Sequence, residues 1–204
     1  MPRDKEETGR RIREAAMEEF LEKGFEGASM RGIAAKAGIT AAGLYRHFTD
    51  KEELFGALVE PALAEWQAFY VWHRRESYQC LEQGDMEGVW EGLAMQTRAL
   101  DVIYGHFDSF RLLLNRSRGS ADAGFLHEFV MEEQRETMVF LAEAKRQGMT
   151  GREVDERELH LLLTAWSNAM FEFVAHNFTR REAEHYMKTM TEFFTPGWRA
   201  LLGL

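Results

Sequence analysis

The sequence predicts an all-α protein of about nine helices. No stretch alternates Val, Ile or Thr with polar residues, and no Asn-Gly pair marks a β-hairpin. Instead, apolar residues recur three and four positions apart, and cap signatures such as Thr179-x-x-Glu182 precede several of these segments. The 204 residues, 45% of them hydrophobic, suffice for one core-bearing domain, or for an N-terminal three-helix head joined to a larger C-terminal helical body.

The head begins with a helix whose apolar stripe is Ile12, Ala16 and Phe20, each four residues after the last. Gly24 follows this stripe, at a place where a left-handed backbone conformation commonly ends a helix. The first helix is therefore expected to end close to Gly24.

Two short helices are predicted next. Ser29 is placed to N-cap the first, which stops at Gly38, and Thr40 is placed to N-cap the second. Asp50, with Glu53 three residues later, has the pattern of a capping box and should open a fourth helix.

The body contains a longer series of helical patterns. They predict helices over residues 51–79, 86–103, 106–115 and 121–147, and two more that begin after Asp155 and Thr179. Pro61 lies inside the first of these, where it lacks an amide N–H and clashes with the preceding turn. We therefore expect a kink or break near Glu60, which could act as a hinge or be static.

The net charge of −9 is unevenly distributed. Residues 1–50 carry nine Lys or Arg and nine Asp or Glu, so the excess negative charge lies entirely beyond residue 50. A neutral head can contact a polyanion through local cations, whereas an acidic body is repelled by one. An acidic surface that serves only solubility would give the same distribution.

The chain shows no sign of a membrane or secreted protein. No apolar run approaches the ~20 residues of a membrane helix, and the charged N-terminus lacks the apolar region of a signal peptide. The single cysteine, Cys80, excludes an internal disulfide. We therefore expect a cytoplasmic protein with no membrane partner.

Residues 30–48 have the spacing of a helix-turn-helix. Ile33, Ala37, Leu44 and Phe48 lie where two short helices on either side of Gly38 must pack together. In this motif the N-terminal end of the second helix enters the major groove of DNA. Spacing alone also fits a helical subdomain that never touches DNA, because such helix pairs are common.

The order of residues in this segment is more specific than its spacing. It reads Ile33-Ala34-x-x-Ala37-Gly38, then Leu44-Tyr45-x-His47-Phe48, then Lys51-Glu52-x-Leu54. Over roughly residues 8–60 the chain resembles the TetR (tetracycline repressor-like) family of transcriptional regulators. The resemblance implies a helix-turn-helix DNA-binding domain over residues 1–50 and a ligand-binding and dimerisation domain over 51–204.

The same resemblance implies a mode of action. The chain would form a homodimer on a double-stranded DNA operator, usually as a repressor, and a small, largely apolar effector would release it. A shift of the fourth helix would change the spacing of the two heads.

Candidate DNA-binding residues follow from the resemblance together with side-chain chemistry. They are Ser29, Thr40, Ala41, Ala42, Gly43, Tyr45, Arg46, His47 and Lys51. Tyr45 and Lys51 are expected to contact phosphates, and Arg46 a base or a phosphate. His47 either contacts a phosphate or packs between helices.

Three further features of this segment bear on these candidates. Ala41-Ala42-Gly43, at the start of the recognition helix, has no hydrogen-bonding side chain, so no operator sequence can be predicted. The hydroxyls of Ser29 and Thr40 either contact phosphates or serve only as caps. Gly32 is a weak helix former where the family often has a charged residue.

The body is rich in aromatic residues and methionine, which suit a pocket for apolar ligands but equally form plain core. The candidate pocket residues are Trp66, Phe69, Tyr70, Trp90, Tyr104, Phe107, Phe110, Phe129, Trp166 and Met170. The last two helices carry more apolar surface than one layer can bury, which predicts a four-helix dimer seam. Its candidate residues are Leu162, Phe173, Tyr186, Met190, Phe194 and Trp198.

Other functional classes have little support in the sequence. The seven histidines are scattered, and the sequence contains no metal-binding, P-loop or nucleophile-elbow motif. We therefore expect no catalytic residue, no metal and no cofactor. The alternatives are a protein-binding adaptor, or a helical enzyme, without DNA binding.

Overall fold

The computed structural model describes residues 2–90 and 93–204. Within them the chain forms α-helices and one short 3-10 turn (Ala121–Gly124) but no strand, which confirms the all-α prediction. The helices are α1 (Pro2–Gly27), α2 (Met30–Lys36), α3 (Ala41–Leu44), α4 (Lys51–Gln83), α5 (Met86–Trp90), α6 (Leu93–Gly105), α7 (Phe107–Asn115), α8 (Phe125–Arg146), α9 (Glu156–Ala175) and α10 (Arg180–Leu202). None of the helices in these two ranges combines the length and apolar character needed to cross a membrane.

These helices form two compact units. The first consists of Met1–Ala64 and His106–Phe125, and the second of Glu65–Gly105 and Leu126–Leu204. The first unit thus adds the start of α4 and all of α7 to the residues expected to bind DNA. The functional division into residues 1–50 and 51–204 stays a prediction, because compactness does not assign roles.

In the first unit, α1 buries the predicted stripe of Ile12, Ala16 and Phe20 completely. Gly24 has a φ of +70°, as its position after this stripe predicted, and glycine adopts this conformation without strain. The helix then resumes for one turn, and Phe25 N–H donates a 2.8 Å hydrogen bond to the carbonyl of Arg116 after α7. The glycine therefore redirects the helix rather than ending it.

The aromatic core of the first unit joins α1 to the start of α4. The Phe20 and Phe55 rings meet edge to face at 5.1 Å, and the Phe25 and Phe55 rings do so at 5.3 Å. Phe20 and Phe55 are fully buried. Edge-to-face rings stabilise such a core beyond their buried area, so the first turns of α4 are anchored to α1.

A kink or a break was expected near Glu60. Helix α4 continues through Pro61, so there is no break. The proline ring still removes a donor from this turn, and the buried Ser109 hydroxyl of α7 donates to the carbonyl of Leu58 at 2.8 Å. Packing against α7 thus supplies a hydrogen bond to a turn that the proline weakens.

The second unit contains an antiparallel hairpin of α9 and α10. The predicted capping box opens α10, where Thr179 accepts from the Glu182 amide and the Glu182 carboxylate accepts from the Thr179 amide. Asp155 caps α9 by accepting from the Arg157 and Glu158 amides. Both helices therefore start where their cap residues predicted.

Two predicted helices differ in extent from those observed. The helix predicted over 86–103 is described as α5 and α6, with residues 91 and 92 between them outside the described residues. The helix predicted over 121–147 begins with the 3-10 turn, and α8 starts at Phe125.

Candidate functional site

The helix-turn-helix of the first unit is built from α2 and α3. Ile33 and Leu44 are fully buried between these helices, and Gly38, in the turn, has a φ of +66°. The side chains of Thr40, Ala42, Tyr45 and Arg46 remain exposed, with Tyr45 at 53%. The C-cap of α3 and the residue after it thus present one phenol and one guanidinium to solvent.

Ser29 and Thr40 both act as helix caps. The Ser29 hydroxyl accepts from the Gly32 amide at 3.0 Å, and the Thr40 hydroxyl accepts from the Gly43 amide at 3.0 Å. Each hydroxyl keeps its own proton for donation, and both residues are exposed. Capping and phosphate contact are therefore compatible roles for these two residues.

The remaining predicted residues of this segment differ in exposure. Ala41 and His47 are half-buried, and Gly43 is buried, so its role at a DNA surface would be close packing of α3 rather than contact. A Cβ at position 43 would lie 3.2 Å from the Thr40 hydroxyl oxygen, and the cap thus favours glycine.

Sequence reasoning missed one exposed cation of this surface. Arg31 lies in the first turn of α2, two residues after the cap Ser29, and its side chain is exposed. Among the described residues, no ion pair or hydrogen bond holds the guanidinium of Arg31 or that of Arg46. The position of Arg31 at an exposed helix start was the available signal.

Lys51 has a different environment from the one predicted for a phosphate contact. Its ammonium donates to the carbonyls of Phe25 at 2.5 Å, Ala28 at 3.1 Å and Glu26 at 3.4 Å, at the end of α1. It also lies 4.4 Å from the centre of the Phe25 ring. A cation in this position satisfies orphan carbonyls and the negative end of the helix dipole.

A buried carboxylate joins α1 to α2 beneath this surface. Glu19, with its side chain 1% exposed, pairs with Lys23 at 2.7 Å and with Lys36 at 3.2 Å. Burial alone would raise the pKa of Glu19, but the hydrogen bonds from Lys23 and Lys36 outweigh it and lower the pKa below its usual range. Glu19 is therefore ionised at neutral pH, and it orients α2 through Lys36.

Comparison with known proteins agrees with this geometry. Residues 12–58 match the model of the family described as bacterial regulatory proteins, tetR family. That range covers the end of α1, the whole helix-turn-helix and the start of α4. The N-terminal part of the chain is therefore similar to the TetR family.

A similar protein extends the likeness beyond these residues. The chain is 32% identical over 120 residues to an HTH-type transcriptional regulator of Haemophilus influenzae, which covers 58% of this chain and 55% of that protein. The chain thus matches about half of that regulator's length.

Two solved structures share the fold across nearly the whole chain. NalD, the secondary repressor of the MexAB-OprM multidrug efflux pump in Pseudomonas aeruginosa, has a TM-score of 0.57, 20% identity and coverage of 93% and 96%. The TetR-family regulator PfmR of Thermus thermophilus has a TM-score of 0.54, 21% identity and coverage of 89% and 97%. At these identities the likeness concerns the fold alone.

In the second unit, some of the predicted pocket residues come together. The aromatic cluster consists of Trp66, Phe69, Tyr70, Phe129, Trp166 and Phe171. Trp66 lies at its centre, with ring centres 5.1 Å from Phe69, 5.9 Å from Phe129 and 5.5 Å from Phe171. Met170 is buried beside Phe171 on α9.

The other predicted pocket residues lie elsewhere. Phe107 and Phe110 belong to the first unit, where Phe110 is fully buried, so we remove both from the proposed pocket. Tyr104 stacks on Phe173 at 6.1 Å and donates to the Phe178 carbonyl at 2.7 Å. The half-buried ring of Trp90 lies under the Arg199 guanidinium. Helical periodicity predicted that these residues are buried but not which residues they meet.

Sequence reasoning also missed Glu133, which lies next to the aromatic cluster on α8. Its pKa is raised to about 7: burial is the main cause, the interaction with the Tyr70 hydroxyl opposes the rise, and the carboxylates of Glu132 and Glu136 add to it. Glu133 follows Phe129 by four residues, so it lies on the same face of α8. That spacing was the signal that could have singled it out among the acidic residues of α8.

The predicted dimer residues of α9 and α10 are mostly engaged within the second unit. Phe173 and Met190 are buried, Tyr186 donates to the Ala169 carbonyl at 2.8 Å, and Trp198 packs against a buried cluster that includes Leu163. Phe194 is half-buried, with its ring centre 5.0 Å from that of Phe193.

Exposed apolar side chains nevertheless remain on these two helices. Leu162, one of the predicted residues, is 44% exposed, Leu161 is 68% exposed, and Phe193 is 76% exposed. Leu161 and Phe193 lie at similar distances from the α9–α10 turn, hence at the same level of the hairpin. They give the hairpin an apolar outer surface.

Proposed function

We propose that this chain is a DNA-binding transcriptional regulator whose first unit binds a double-stranded DNA operator through α3. The observation that supports this most directly is the exposed face of the helix-turn-helix, where Tyr45, Arg46 and Arg31 all project into solvent. Arg31 and Arg46 can each reach a phosphate or a base edge, and Tyr45 can donate to a phosphate. Ser29 and Thr40 can add hydroxyl contacts from the two caps.

The regulatory part of the proposal assigns an effector site to the second unit. The aromatic cluster supplies the apolar walls on which small ligands are usually bound. Repression is the outcome we propose, as stated for NalD, with release from the operator when the effector binds. The expected cytoplasmic location stays part of this proposal, because a bacterial regulator acts where the chromosome lies.

A homodimer completes the proposal. One helix-turn-helix reads one half-site, and two heads a fixed distance apart are needed to read both halves of an operator. The exposed Leu161, Leu162 and Phe193 of the α9–α10 hairpin are the residues that we assign to a two-fold seam. They replace Phe173 and Met190, which are already buried within one chain.

DNA binding by the full chain is the decisive measurement. Fluorescence anisotropy with a duplex from the region upstream of its own gene, and with a scrambled duplex, gives affinity at several salt concentrations. We expect tighter binding to the upstream duplex. Arg31→Ala and Arg46→Ala should each weaken binding and reduce the slope of log affinity against log salt by about one.

A matched substitution controls for loss of charge. Arg181→Ala removes an exposed arginine of α10, in the second unit, and should leave both affinity and salt slope unchanged. Equal loss in all three variants, or no binding to either duplex, would contradict the proposal and favour an adaptor or another role without DNA.

A further inference from the structure

Residues 10–13 of α1 contain three arginines, and each lies in a different environment. The Arg10 guanidinium pairs with two carboxylates of its own helix, each at 2.7 Å. Arg13 is exposed to solvent. Arg11 reaches across to α2, where its Nη2 atom donates a hydrogen bond to the carbonyl of Ala37, 26 positions later in the chain. Arg11 therefore joins α1 to the end of α2.

Ala37 is the C-cap of α2, and the backbone turns towards α3 directly after it. The Gly38 amide donates to the carbonyl of Ala35 at 3.1 Å, and the Ile39 amide donates to the carbonyl of Ala34 at 3.0 Å. With the left-handed conformation of Gly38, these two bonds form a Schellman motif, which commonly ends an α-helix. The turn is therefore a defined structure, and α3 begins two residues after Ile39.

The Arg11 guanidinium lies directly against this turn. A Cβ built on Gly38 would be 3.0 Å from the Arg11 Nη2 atom. Ala37, whose carbonyl accepts the hydrogen bond, is 4% exposed. A hydrogen bond from a charged donor is roughly twice as strong as a neutral one, and partial burial strengthens it further because the local dielectric is low. Arg11 therefore fixes the turn to α1.

Ion pairs hold the same end of α2, but they act on a side chain. The ammonium of Lys36, the last residue of α2, lies 3.2 Å from the Glu19 carboxylate and 2.8 Å from the Glu22 carboxylate. The hydrogen bond from Arg11 instead ends on the backbone that leads into α3. Arg11 thus acts on the segment next to the recognition helix.

The direction of α3 depends on that turn. The helix has four residues, Ala41–Leu44, and so short a helix has no independent stability. Leu44 is fully buried and anchors the C-terminal end of α3, while the turn fixes its N-terminal end. Tyr45 and Arg46 follow directly, so the same two constraints place their side chains.

We propose that Arg11 is a positioning residue for DNA recognition, because it holds the turn after Ala37 and thereby sets the angle at which α3 enters the major groove. It acts through the backbone of the turn and not through a phosphate. This inference rests on the proposed DNA binding of the first unit and identifies a residue that determines its sequence specificity. Ala41-Ala42-Gly43 carries no hydrogen-bonding side chain, so discrimination between bases depends on close approach of this backbone and its methyl groups. Close approach in turn depends on the angle of α3.

A positioning role and a phosphate contact predict different losses of affinity. Phosphate contacts stabilise complexes with any DNA sequence and make the affinity depend on salt. The angle of α3 matters only where base edges are read, that is, in the specific complex. Loss of the Arg11 guanidinium should therefore weaken specific binding without changing its salt dependence.

Three variants of the full chain test this in the anisotropy assay with the upstream and scrambled duplexes. Arg11→Met removes the guanidinium and keeps most of the aliphatic stem. It should weaken binding to the upstream duplex about tenfold, while its affinity for the scrambled duplex and its salt slope stay as in the wild type. Arg11→Lys retains a charged donor and should restore most of the preference for the upstream duplex. Arg13→Met removes an exposed arginine of the same helix and should match the wild type in all three measurements.

Amide hydrogen exchange of the free chain measures the turn without DNA. In Arg11→Met the amides of Gly38 and Ile39 should exchange about tenfold faster than in the wild type, because the turn opens more often. The Ala183 amide of α10, which donates to the Thr179 carbonyl at 3.0 Å, should exchange at the wild-type rate. That control separates local opening of the turn from a general loss of stability.

The outcomes that contradict the inference differ from one another. Equal losses on both duplexes, with a salt slope lower by about one, would make Arg11 a phosphate contact. Unchanged exchange at Gly38 and Ile39, or an unchanged preference for the upstream duplex in Arg11→Met, would overturn the positioning role while the proposed DNA binding stands. If the wild-type chain binds neither duplex, or binds both equally, the proposed function fails and the role of Arg11 in recognition fails with it.

Discussion

Gly32 of α2 lies so close to Glu19 of α1 that a Cβ built on the glycine would stand 2.6 Å from the Oε1 atom of the carboxylate. The carboxylate has little freedom to move away, because its side chain is 1% exposed and is held by Lys23 and Lys36. The glycine therefore makes room for a buried charge network between two helices of the first unit.

Gly32→Ala should destabilise the chain. In an ordinary helix this substitution stabilises by about 1 kcal/mol, but here the added methyl group must displace the carboxylate, at a cost of about 1–3 kcal/mol. Urea unfolding should show a lower midpoint than the wild type. In a Glu19→Ala background Gly32→Ala should instead stabilise the chain, because the carboxylate that the added methyl group would meet is absent.

Gly56→Ala provides the matched control for this prediction. Gly56 lies in α4, and a Cβ there would meet nothing within 4 Å, so alanine should stabilise by helix propensity alone. A stabilising Gly32→Ala in the wild-type background would show that Glu19 moves away at little cost.

Gly32 and Ser29 illustrate how far the sequence predicted the head. Ser29 was identified as an N-cap from residues within one turn of it. Similar local patterns predicted that Thr40 is an N-cap and that Thr179 forms a capping box with Glu182. Gly32 was recognised only as a weak helix former. The residue that makes a glycine necessary there, Glu19, lies thirteen positions earlier in the chain. Contacts between distant segments leave no periodic pattern in a single sequence.

Lys51→Met should reduce stability more than it reduces the salt dependence of DNA binding. The ammonium donates to three carbonyls at the end of α1, and charged hydrogen bonds of this kind contribute about 1.5–3 kcal/mol. We expect a loss of that order in the free energy of unfolding. The slope of log affinity against log salt should stay within experimental error of the wild type.

Lys188→Met is the control for Lys51. Lys188 is an exposed lysine of α10, with its side chain 76% accessible, and its loss should leave stability nearly unchanged. If Lys51→Met instead kept full stability and lowered the salt slope by about one, the lysine would leave the carbonyls for a phosphate on binding DNA, as the family resemblance implied.

The aromatic residues show the limit of periodicity most clearly. Phe110 and Phe129 both lie on apolar helix faces, and both are buried, yet one packs in the first unit and the other in the second. Glu133 was overlooked because it stands among other acidic residues of α8, namely Glu128, Glu132 and Glu136. Which side of a helix meets which neighbour depends on tertiary packing, which the spacing of residues leaves open.

The stability of the chain should depend on pH through Glu133 in the direction opposite to most carboxylates. Its pKa in the folded chain is about 7, above the ordinary value of 4.5 that we assign to the unfolded chain. The folded state therefore holds this proton more tightly, so its contribution to stability is lost as the pH rises from about 4.5 to about 7. At pH 8 the cost is about 2–3 kcal/mol.

Glu133→Gln should remove this cost. The variant should match the wild type at pH 4.5 and exceed it at pH 8 by about 2–3 kcal/mol in urea unfolding. The difference between the two proteins cancels all other titrating groups, including His73 and Glu19. Glu128→Gln should show no such divergence. Parallel pH profiles for Glu133→Gln and wild type would mean that the carboxyl is already compensated in the free chain.

Phe193→Glu should convert a dimer to a monomer without unfolding the chain. The Phe193 side chain is 76% exposed, so a carboxylate there is solvated in the monomer but would be buried in a two-fold seam, where it meets its own copy. We expect the dimer dissociation constant to rise by about a hundredfold or more. Light scattering coupled to size exclusion should then give a mass near 23.7 kDa.

Met131→Glu tests whether dissociation of the dimer requires a charge on the α9–α10 hairpin or follows from a charge on any exposed apolar residue. Met131 is 47% exposed on α8, a helix outside the hairpin, so a charge there should leave the dimer intact. Leu161→Glu, at the same level of the hairpin as Phe193, should dissociate it. A wild-type chain that is monomeric at micromolar concentration would exclude the seam. A Met131→Glu chain that is monomeric would place the dimer interface on α8 instead. A dimer that survives both hairpin substitutions would show that Leu161 and Phe193 are solvated in the assembly.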